Sequence, residues 1–426
     1  MARLFYTVIF YLCLPLIAVK LLWRSRKAPA YRRRWGERLG FVAHLQKPES
    51  GQILWLHSVS VGETLAAVPL VKALQNQYPN AQIVVTTMTP TGSDRAVASF
   101  GDSVYHCYAP YDLPDAQARF HRRIQPDLLV IMETELWPNM IAACHQRGVP
   151  VVLANARLSQ RSADGYDRVS ALSKPMLAQL TTIAAQHQDD ARRFVEIGAA
   201  PERVQVTGNI KFDLDLDASL HSKAEQLRAV WSANGARPVL LVASTHSGED
   251  EPVIEAFASL RREFENLLLV LVPRHPERFN DVYALCSERF ATARRSQHQQ
   301  PSGDTAIVLG DTMGELASFF GACDIAVIGG SLVPVGGHNM IEAAAWGVPV
   351  VTGPHLFNFA EATRLMTDAD AMQIVQNGDE LADALAALLR NPERRRTMGI
   401  SGRQVAEANR GALDRLLGLI ANRLIQ

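Results

Sequence analysis

The sequence lacks an excess of charge, since 43 Lys and Arg residues balance 43 Asp and Glu residues over 426 positions. A protein that binds nucleic acid through its phosphates normally carries a basic excess, so this balance argues against that class. The five cysteines lie far apart and form no C-x-x-C pair, which favours reduced thiols in the cytoplasm over disulfides or zinc. Neither G-x-G-x-x-G after the first strand of either predicted domain nor G-x-x-x-x-G-K-[ST] occurs, which argues against NAD and P-loop nucleotide binding. The residue pattern therefore predicts neither a metal site nor a bound cofactor.

Long apolar runs are also lacking, with one exception at the start of the chain. Residues 4–22 are apolar apart from Thr7 and Lys20, and a basic cluster that begins at Arg24 follows them. About 20 apolar residues can span a bilayer as a helix, and the basic flank predicts that the rest of the chain is cytoplasmic. Because Pro15 interrupts the run, a helix lying in the membrane interface remains open beside a spanning one. We predict a membrane anchor over residues 1–27.

Two series of short apolar runs, separated by stretches of helical length, follow the anchor. The predicted strands are 53–59, 83–88, 127–133, 149–155, 181–186 and 204–208, and then 239–245, 267–273, 305–310, 324–330 and 348–353. Continuous apolar strands with helical crossovers indicate parallel sheets that are covered on both faces. We predict an α/β protein with two doubly wound, Rossmann-like domains, 28–215 and 216–426, which face a cleft. Ligands should bind at the carboxyl ends of the strands.

Carboxylates follow two predicted strands of the first domain. Glu63 opens the helix after the first strand, where it could complement the helix dipole or act as a general base for a hydroxyl. Glu133 and Glu135 follow the strand at 127–133, and an extended chain would point them to opposite sides. One could face the cleft while the other caps the next helix, or both could be solvated caps.

Three cations of the first domain could contact an anionic substrate. Arg157 and Arg161 follow the strand at 149–155, where anion binding and ordinary surface pairing are equally open. Lys211 lies where the first domain ends and could reach the cleft. A structural salt bridge to Asp213 or Asp215 is its alternative.

The second domain has several loops suited to a phosphate. Arg274 follows a strand, and its planar guanidinium suits a phosphate group. The backbone amides of 313–315 precede a helix and could bind an anion. Paired glycines at 329–330 and 336–337 would let a ligand approach the backbone. Glu342, about one turn further on, could accept hydrogen bonds from ribose hydroxyls. Together with the carboxylates of the first domain, these loops favour group transfer from a nucleotide-activated donor.

A series of motifs, in this order, resembles the bacterial 3-deoxy-D-manno-octulosonic acid (Kdo) transferases. The similarity covers almost the whole chain and rests on HSVSVGET, TTMTPTGSDRA, PYDLP, METELWPN, NARLSQRS, GNIKFD, LVPRHPERF, GDTMGEL and GGSLVPVGGHN-x-x-EAAA. The resemblance implies a GT-B glycosyltransferase fold with an acceptor-binding first domain and a second domain that binds CMP-Kdo. It further implies transfer of Kdo to a lipid A precursor (lipid IVA) in lipopolysaccharide biosynthesis, at the cytoplasmic face of the bacterial inner membrane.

The resemblance also implies roles for individual residues. Glu63 matches the family's proton acceptor, and Glu133 and Lys211 match positions that stabilise the transition state. The matched CMP-binding residues are Pro273, Arg274, Met313, Gly314, Glu315, Asn339, Met340, Ile341 and Glu342. The expected mechanism is an inverting displacement without a metal or cofactor, with CMP-Kdo as the donor substrate.

Other functions remain open on the residues alone. An enzyme of similar architecture that uses a UDP-sugar would keep the second-domain loops, and a membrane-anchored sensor could close around a small ligand. The number of Kdo residues added, the acylation preference for the acceptor and the oligomeric state are also open.

Overall fold

The computed structural model describes residues 1–26, 28–214 and 216–424. The basic residue Lys27 and the predicted domain boundary at Asp215 lie outside the described residues. The chain divides into two compact units, of which unit 1 contains Met1–Asp213 and Arg410–Gln426 and unit 2 contains Leu214–Asn409. Each unit is an α/β domain with a parallel sheet, and the predicted fold class is confirmed. The cleft between the domains stays a prediction.

Unit 1 is built on a seven-stranded parallel sheet of order β3-β2-β1-β4-β5-β6-β7. The strands are β1 (Ile53–His57), β2 (Gln82–Thr87), β3 (Tyr105–Tyr108), β4 (Leu128–Met132), β5 (Val151–Ala156), β6 (Thr182–Ala185) and β7 (Val204–Val206). The helices are α1 (Ala2–Arg24), α2 (Trp35–Arg38), α3 (Val61–Gln77), α4 (Pro90–Phe100), α5 (Pro114–Ile124), α6 (Pro138–His145), α7 (Gln160–Arg168), α8 (Ser170–Leu177) and α9 (Gln188–Glu196). Strands β1 and β4 are buried along their whole length, as expected where helices cover both faces of a sheet. The strand order reverses between these two strands.

Unit 2 repeats this architecture with a sheet of order β10-β11-β9-β8-β12-β13-β14. Its strands are β8 (Val239–Thr245), β9 (Leu268–Pro273), β10 (Thr292–Arg294), β11 (Ile307–Leu309), β12 (Ile325–Ile328), β13 (Val350–Thr352) and β14 (Met372–Ile374). Its helices are α10 (Ala218–Trp231), α11 (Asp250–Arg261), α12 (Phe279–Ser287), α13 (Leu316–Gly321), α14 (Ile341–Ala345), α15 (Ala360–Asp368), α16 (Gly378–Arg390) and α17 (Pro392–Ala408). Here β8 and β12 are neighbours at the point where the strand order reverses. Sites in open α/β sheets form at such points.

The last helix, α18 (Ala412–Leu424), returns to unit 1. Its residues Leu416 and Ile420 are fully buried in the core that contains Leu70 and Leu74 of α3. Asp213 accepts hydrogen bonds from the backbone N–H groups of Gly411 and Leu413 and so ties the start of this helix to unit 1. The prediction that 216–426 forms one domain therefore differs from the structure at its end, because the apolar face of α18 completes the core of the other unit.

Helix α1 is long and apolar enough to cross a membrane, judged by its length and composition. One side of it contacts unit 1. Thr7 is buried and hydrogen-bonds to Asn139, and the Tyr11 hydroxyl donates to Asp115 over 2.6 Å. The opposite side exposes large apolar side chains, namely Leu4, Phe5, Val8, Ile9, Leu12, Leu16, Val19, Leu22 and Trp23. The helix therefore has one docked face and one exposed apolar face.

Candidate active site

Glu63 belongs to a capping box at the start of α3. Ser60 is the N-cap residue, and its hydroxyl accepts a hydrogen bond from the Glu63 N–H. The Glu63 carboxylate in turn accepts from the Ser60 hydroxyl and from the Val59 N–H, each over 2.7 Å. This reciprocal pattern, a variant of the capping box, satisfies the Glu63 amide in the first helical turn and the Val59 amide just before the helix. Glu63 therefore has the structural role that the sequence left open, and its carboxylate is held in one orientation beside the carboxyl end of β1.

The surroundings of Glu63 favour its protonated form. Burial raises the pKa of the Glu63 carboxyl, and the nearby charges of Glu135 and Glu133 raise it further, against the hydrogen bonds from Ser60 and Val59. Burial and the charge of Glu133 also raise the pKa of Glu135, which accepts a hydrogen bond from the Trp137 indole N–H. A carboxylate whose pKa is raised is a stronger base when it is ionised.

Glu133 and Lys211, predicted from separate motifs, form an ion pair with an Nζ–Oε1 distance of 3.2 Å. Glu133 directly follows β4 and has a left-handed backbone with φ of 56°, a conformation that costs a non-glycine residue of the order of 1–3 kcal/mol. Lys211 lies in a short 3₁₀ helix capped by Asn209. Lys211 thus pairs with Glu133, whereas Asp213 binds the start of α18.

For the other polar residues of unit 1, the sequence predicted only part of the contacts that the structure shows. Glu135 was considered as a cap, and the structure adds it to the acidic group formed by Glu63 and Glu133. Arg157 and Arg161 are both exposed, and Arg157 lies near Asp190. Their predicted contact with an anionic substrate stays a prediction.

In unit 2, Arg274 lies close enough to Glu342 for its charge to affect the pKa of the Glu342 carboxyl. Arg274 directly follows Pro273 at the end of β9, and its N–H donates to the Thr245 carbonyl at the end of β8. Burial raises the pKa of Glu342, while a hydrogen bond from Asn339 and the charge of Arg274 act to lower it. The Asn339 side chain also accepts from the Ile341 N–H and so fixes the start of α14.

Three of the matched CMP-binding residues have side chains that are buried in the core. Pro273 lies within the buried strand β9, and Met340 and Ile341 are almost fully buried. Their side chains pack in unit 2, so only their backbone groups could contact a ligand.

The segment Met313–Glu315 is open on the side that a ligand could approach. Gly314 has φ of +83°, and no atom lies within 4 Å of where its Cβ would be. The Glu315 carboxylate is already occupied, because Arg295 binds it through two nitrogens and Thr312 donates to it. The hydrogen bond from Arg295 also lowers the pKa of Glu315. A cavity of about 390 Å³ adjoins Gly314 and Glu315.

The backbone amides that follow Gly329 bind a carboxylate of the protein itself, which the sequence did not predict. Glu249, which the sequence analysis missed, is buried and accepts hydrogen bonds from the N–H groups of Gly330, Ser331 and Leu332. Gly329 packs directly on the Ser244 backbone, where a Cβ would come within 2.6 Å of the carbonyl oxygen. These amides therefore bind an internal carboxylate, and the expected close approach of a ligand at 329–330 stays a prediction. An acidic residue a few positions after a strand was the only sequence signal for Glu249.

No group of three or more His, Cys, Asp or Glu side chains among the described residues could hold a metal ion. The predicted absence of a cofactor stays a prediction.

The fold and the strand-end sites define the class of protein. The C-terminal half, residues 226–405, matches the family model "Glycosyl transferases group 1". Solved structures of the same fold include UDP-GlcNAc 2-epimerase from Neisseria meningitidis (13% identity, 87% of this chain and 99% of that one, TM-score 0.57). Another is MurG from Acinetobacter baumannii (14% identity, 87% and 99%, TM-score 0.55). Two Rossmann-like domains with these neighbours show that the chain has the GT-B fold.

The particular family follows from the N-terminal half and from the full-length relatives. Residues 33–214 match the model "3-Deoxy-D-manno-octulosonic-acid transferase (kdotransferase)". The chain is 45% identical to the 3-deoxy-D-manno-octulosonic acid transferase of Haemophilus influenzae, over 99% of this chain and 98% of that protein. It is 37% identical to that of Bordetella pertussis, over 85% and 86%. The chain belongs to the Kdo transferase family, and the predicted enzyme class, transfer of Kdo in lipopolysaccharide biosynthesis, is confirmed.

Proposed function

We propose that this enzyme transfers Kdo from CMP-Kdo to a lipid A precursor, lipid IVA, with inversion at the anomeric carbon. Glu63 removes the proton of the acceptor hydroxyl while that oxygen attacks the anomeric carbon. The bond between this carbon and the CMP phosphate breaks, and CMP leaves with the bonding electrons. The observation that carries the proposal is the buried Glu63 carboxylate, held in place at the switch point of unit 1 and with a raised pKa.

The remaining polar residues fit supporting roles in the same reaction. The Lys211 ammonium, oriented by Glu133, stabilises negative charge that develops in the transition state. In unit 2, Arg274 binds the donor phosphate, Glu342 binds the ribose hydroxyls, and the backbone of Met313–Glu315 binds the nucleotide. Preorganised donors of this kind are worth about 3–4 kcal/mol each in the transition state.

The choice of nucleotide is testable by binding. Unit 2 has one matched arginine, Arg274, for the donor phosphate, which suits the single phosphate of CMP better than a diphosphate. We expect calorimetry on the full chain to give at least about tenfold tighter binding of CMP than of UDP, a difference of about 1.4 kcal/mol. Tighter binding of UDP would favour a UDP-sugar donor and would contradict the proposal.

The acceptor is a membrane glycolipid, and α1 is suited to hold the enzyme at the membrane. We propose that α1 lies in the interface of the inner membrane on its cytoplasmic side. Its docked face keeps Thr7 and Tyr11 in contact with unit 1, while Leu12 and Leu16 on the other face are exposed. A basic flank such as Arg24 and Arg26 attracts anionic lipid headgroups and so favours binding of this exposed apolar face at the membrane surface.

Labelling distinguishes an interfacial helix from a spanning one. In inverted inner-membrane vesicles, whose outer face is the cytoplasmic one, an Ala2→Cys variant should react with an impermeant maleimide without detergent. An Asp304→Cys variant, in an exposed loop of unit 2, should react equally, and the parent chain gives the background. If the thiol at position 2 reacted only after detergent was added, α1 would span the membrane and the interfacial arrangement would be refuted.

A further inference from the structure

Three histidines come together at the carboxyl ends of adjacent strands in unit 2. His246 follows β8, His275 follows β9, and His338 lies between β12 and α14. The ring planes of His246 and His338 are inclined by only 10° and their Nε2 atoms are 2.9 Å apart, and the His275 ring meets His246 edge-on at 5.2 Å. The sequence motifs alone predict no role for these rings. They lie where the strand order of the sheet reverses, which is where ligands bind in such sheets.

The backbone directs His246 into this position. The register of β8 against β9 shifts between Ala243 and Thr245, and Ser244 has a left-handed φ of 63°. Such bulges redirect side chains at the rims of sheets and near active sites. The His246 N–H then donates to Glu249, the carboxylate that also binds the loop after β12. This bond fixes the backbone of His246, while its ring contacts His338 and His275 and remains half-exposed.

The 2.9 Å contact between two Nε2 atoms requires a single shared proton. One ring donates its Nε2–H, and the other accepts with an unprotonated Nε2, so the pair is neutral when the donating ring has no proton on Nδ1. A second proton would go to the Nδ1 of the donating ring, which then becomes an imidazolium while the hydrogen bond between the two Nε2 atoms is kept. The neutral pair can therefore take up one further proton.

Burial and the charges around the pair favour its neutral form while no anion is bound. Burial lowers the pKa of His338 to about 3, and Arg274 and the two other histidines add to this effect. Burial, His275, Arg274 and Arg278 also lower the pKa of His246, against the charge of Glu249.

The acidic groups that face this cluster have their own partners. Asp250, from α11, forms an ion pair with Arg278 and accepts from Thr245. Glu342, from α14, lies in the field of Arg274 and accepts from Asn339. The local field therefore favours an incoming anion.

We propose that the His246–His338 pair, together with Arg274, binds the phosphate of the donor and takes up one proton when this anion binds. The inference rests on the proposed function, in which unit 2 binds CMP-Kdo. An anion beside the pair reverses the local field and stabilises an imidazolium. The extra proton also offsets the charge of the phosphate, which rises from one negative charge in the donor diester toward two in released CMP.

The test uses a ligand that does not itself titrate. The methyl ester of CMP is a phosphodiester with one constant negative charge, whereas the second proton of CMP titrates near pH 6, about where histidine does. Binding of this methyl ester to the full chain is measured by calorimetry at about pH 6.5, near the ordinary histidine pKa. Buffers of different ionisation enthalpy reveal the number of protons taken up. The wild type should take up a substantial fraction of a proton. Its affinity should rise as the pH falls, by about tenfold for each unit by which the anion raises the pKa of the pair.

Variants assign the proton to the pair. His246→Gln and His338→Gln should each abolish the uptake and flatten the pH dependence, while retaining cooperative thermal unfolding. His221→Gln, on the exposed side of α10, is the matched control and should keep the uptake. Should His338→Gln fail to fold, the half-exposed His246 still provides the test.

The outcomes separate this inference from the proposed function. Binding of the ester without proton uptake would overturn the inference and leave the CMP donor intact. Proton uptake that persists in the His246→Gln variant would do the same, because it would point to Glu342 as the group that is protonated. If neither CMP nor its ester bound at all, the donor assignment would fail together with the inference.

Discussion

Glu63→Gln should lower kcat by about 10²–10⁴-fold, the usual contribution of a general base, while the affinity for CMP stays nearly unchanged. The amide keeps the size of the side chain; its oxygen can accept from the Val59 N–H and its NH₂ can donate to the Ser60 hydroxyl oxygen, so the capping interaction survives in part. What the variant loses is the ability to remove a proton from the acceptor hydroxyl. Steady-state kinetics with CMP-Kdo and lipid IVA, beside calorimetry with CMP, measure both quantities.

Two further measurements make this prediction specific. Glu225→Gln, an exposed position of α10, is the matched control and should leave kcat unchanged. Because burial raises the pKa of Glu63, the acid limb of the wild-type pH–rate profile should lie above the ordinary glutamate value, with activity falling as the pH drops through it. A Glu63→Gln variant that kept more than about a tenth of wild-type kcat would lack the loss expected of a general base, and another group would then be the base.

Lys211→Met should lower kcat by about 10²–10³-fold, the loss seen when one preorganised donor to a developing negative charge is removed. Methionine retains the length of the side chain without the ammonium. Glu133 would lose its partner at 3.2 Å and with it the reason for its fixed orientation. The same kinetic assay measures the effect.

A double-mutant cycle with Glu133→Gln identifies the origin of the loss. Because Glu133 and Lys211 contact each other, their effects on kcat should be non-additive. Lys72→Met, an exposed lysine on α3 of the same unit, should have no effect. Equal and small losses in Lys211→Met and Lys72→Met would assign Lys211 to protein stability alone.

The central strands, and with them the loops that follow, were predictable because strands buried on both faces are continuous apolar runs in the sequence. Strands β1, β4, β8 and β9 are buried on both faces and are continuous apolar runs. In contrast β3, β10 and β14 were missed. Each lies at a sheet edge, where one side lacks a neighbouring strand, and each contains polar residues such as those of Thr292–Arg294.

The parts of the site that escaped prediction depend on tertiary contacts. The Glu249 carboxylate binds amides that are 81–83 positions away in sequence, and no local pattern encodes that distance. The pairing of Lys211 with Glu133 and the return of α18 to unit 1 are of the same kind. The motif resemblance named Glu63, Glu133 and Lys211, but their ion pair and capping box became visible only in the structure.

The central claim is that this chain moves Kdo onto a lipid A precursor. Mass spectrometry of a tetraacylated disaccharide acceptor, incubated with the full-length enzyme and CMP-Kdo, tests it most directly. The account predicts that the acceptor gains whole Kdo residues, with one CMP released for each, and that the Glu63→Gln enzyme yields almost none. Release of CMP without any gain in the mass of the acceptor would contradict it.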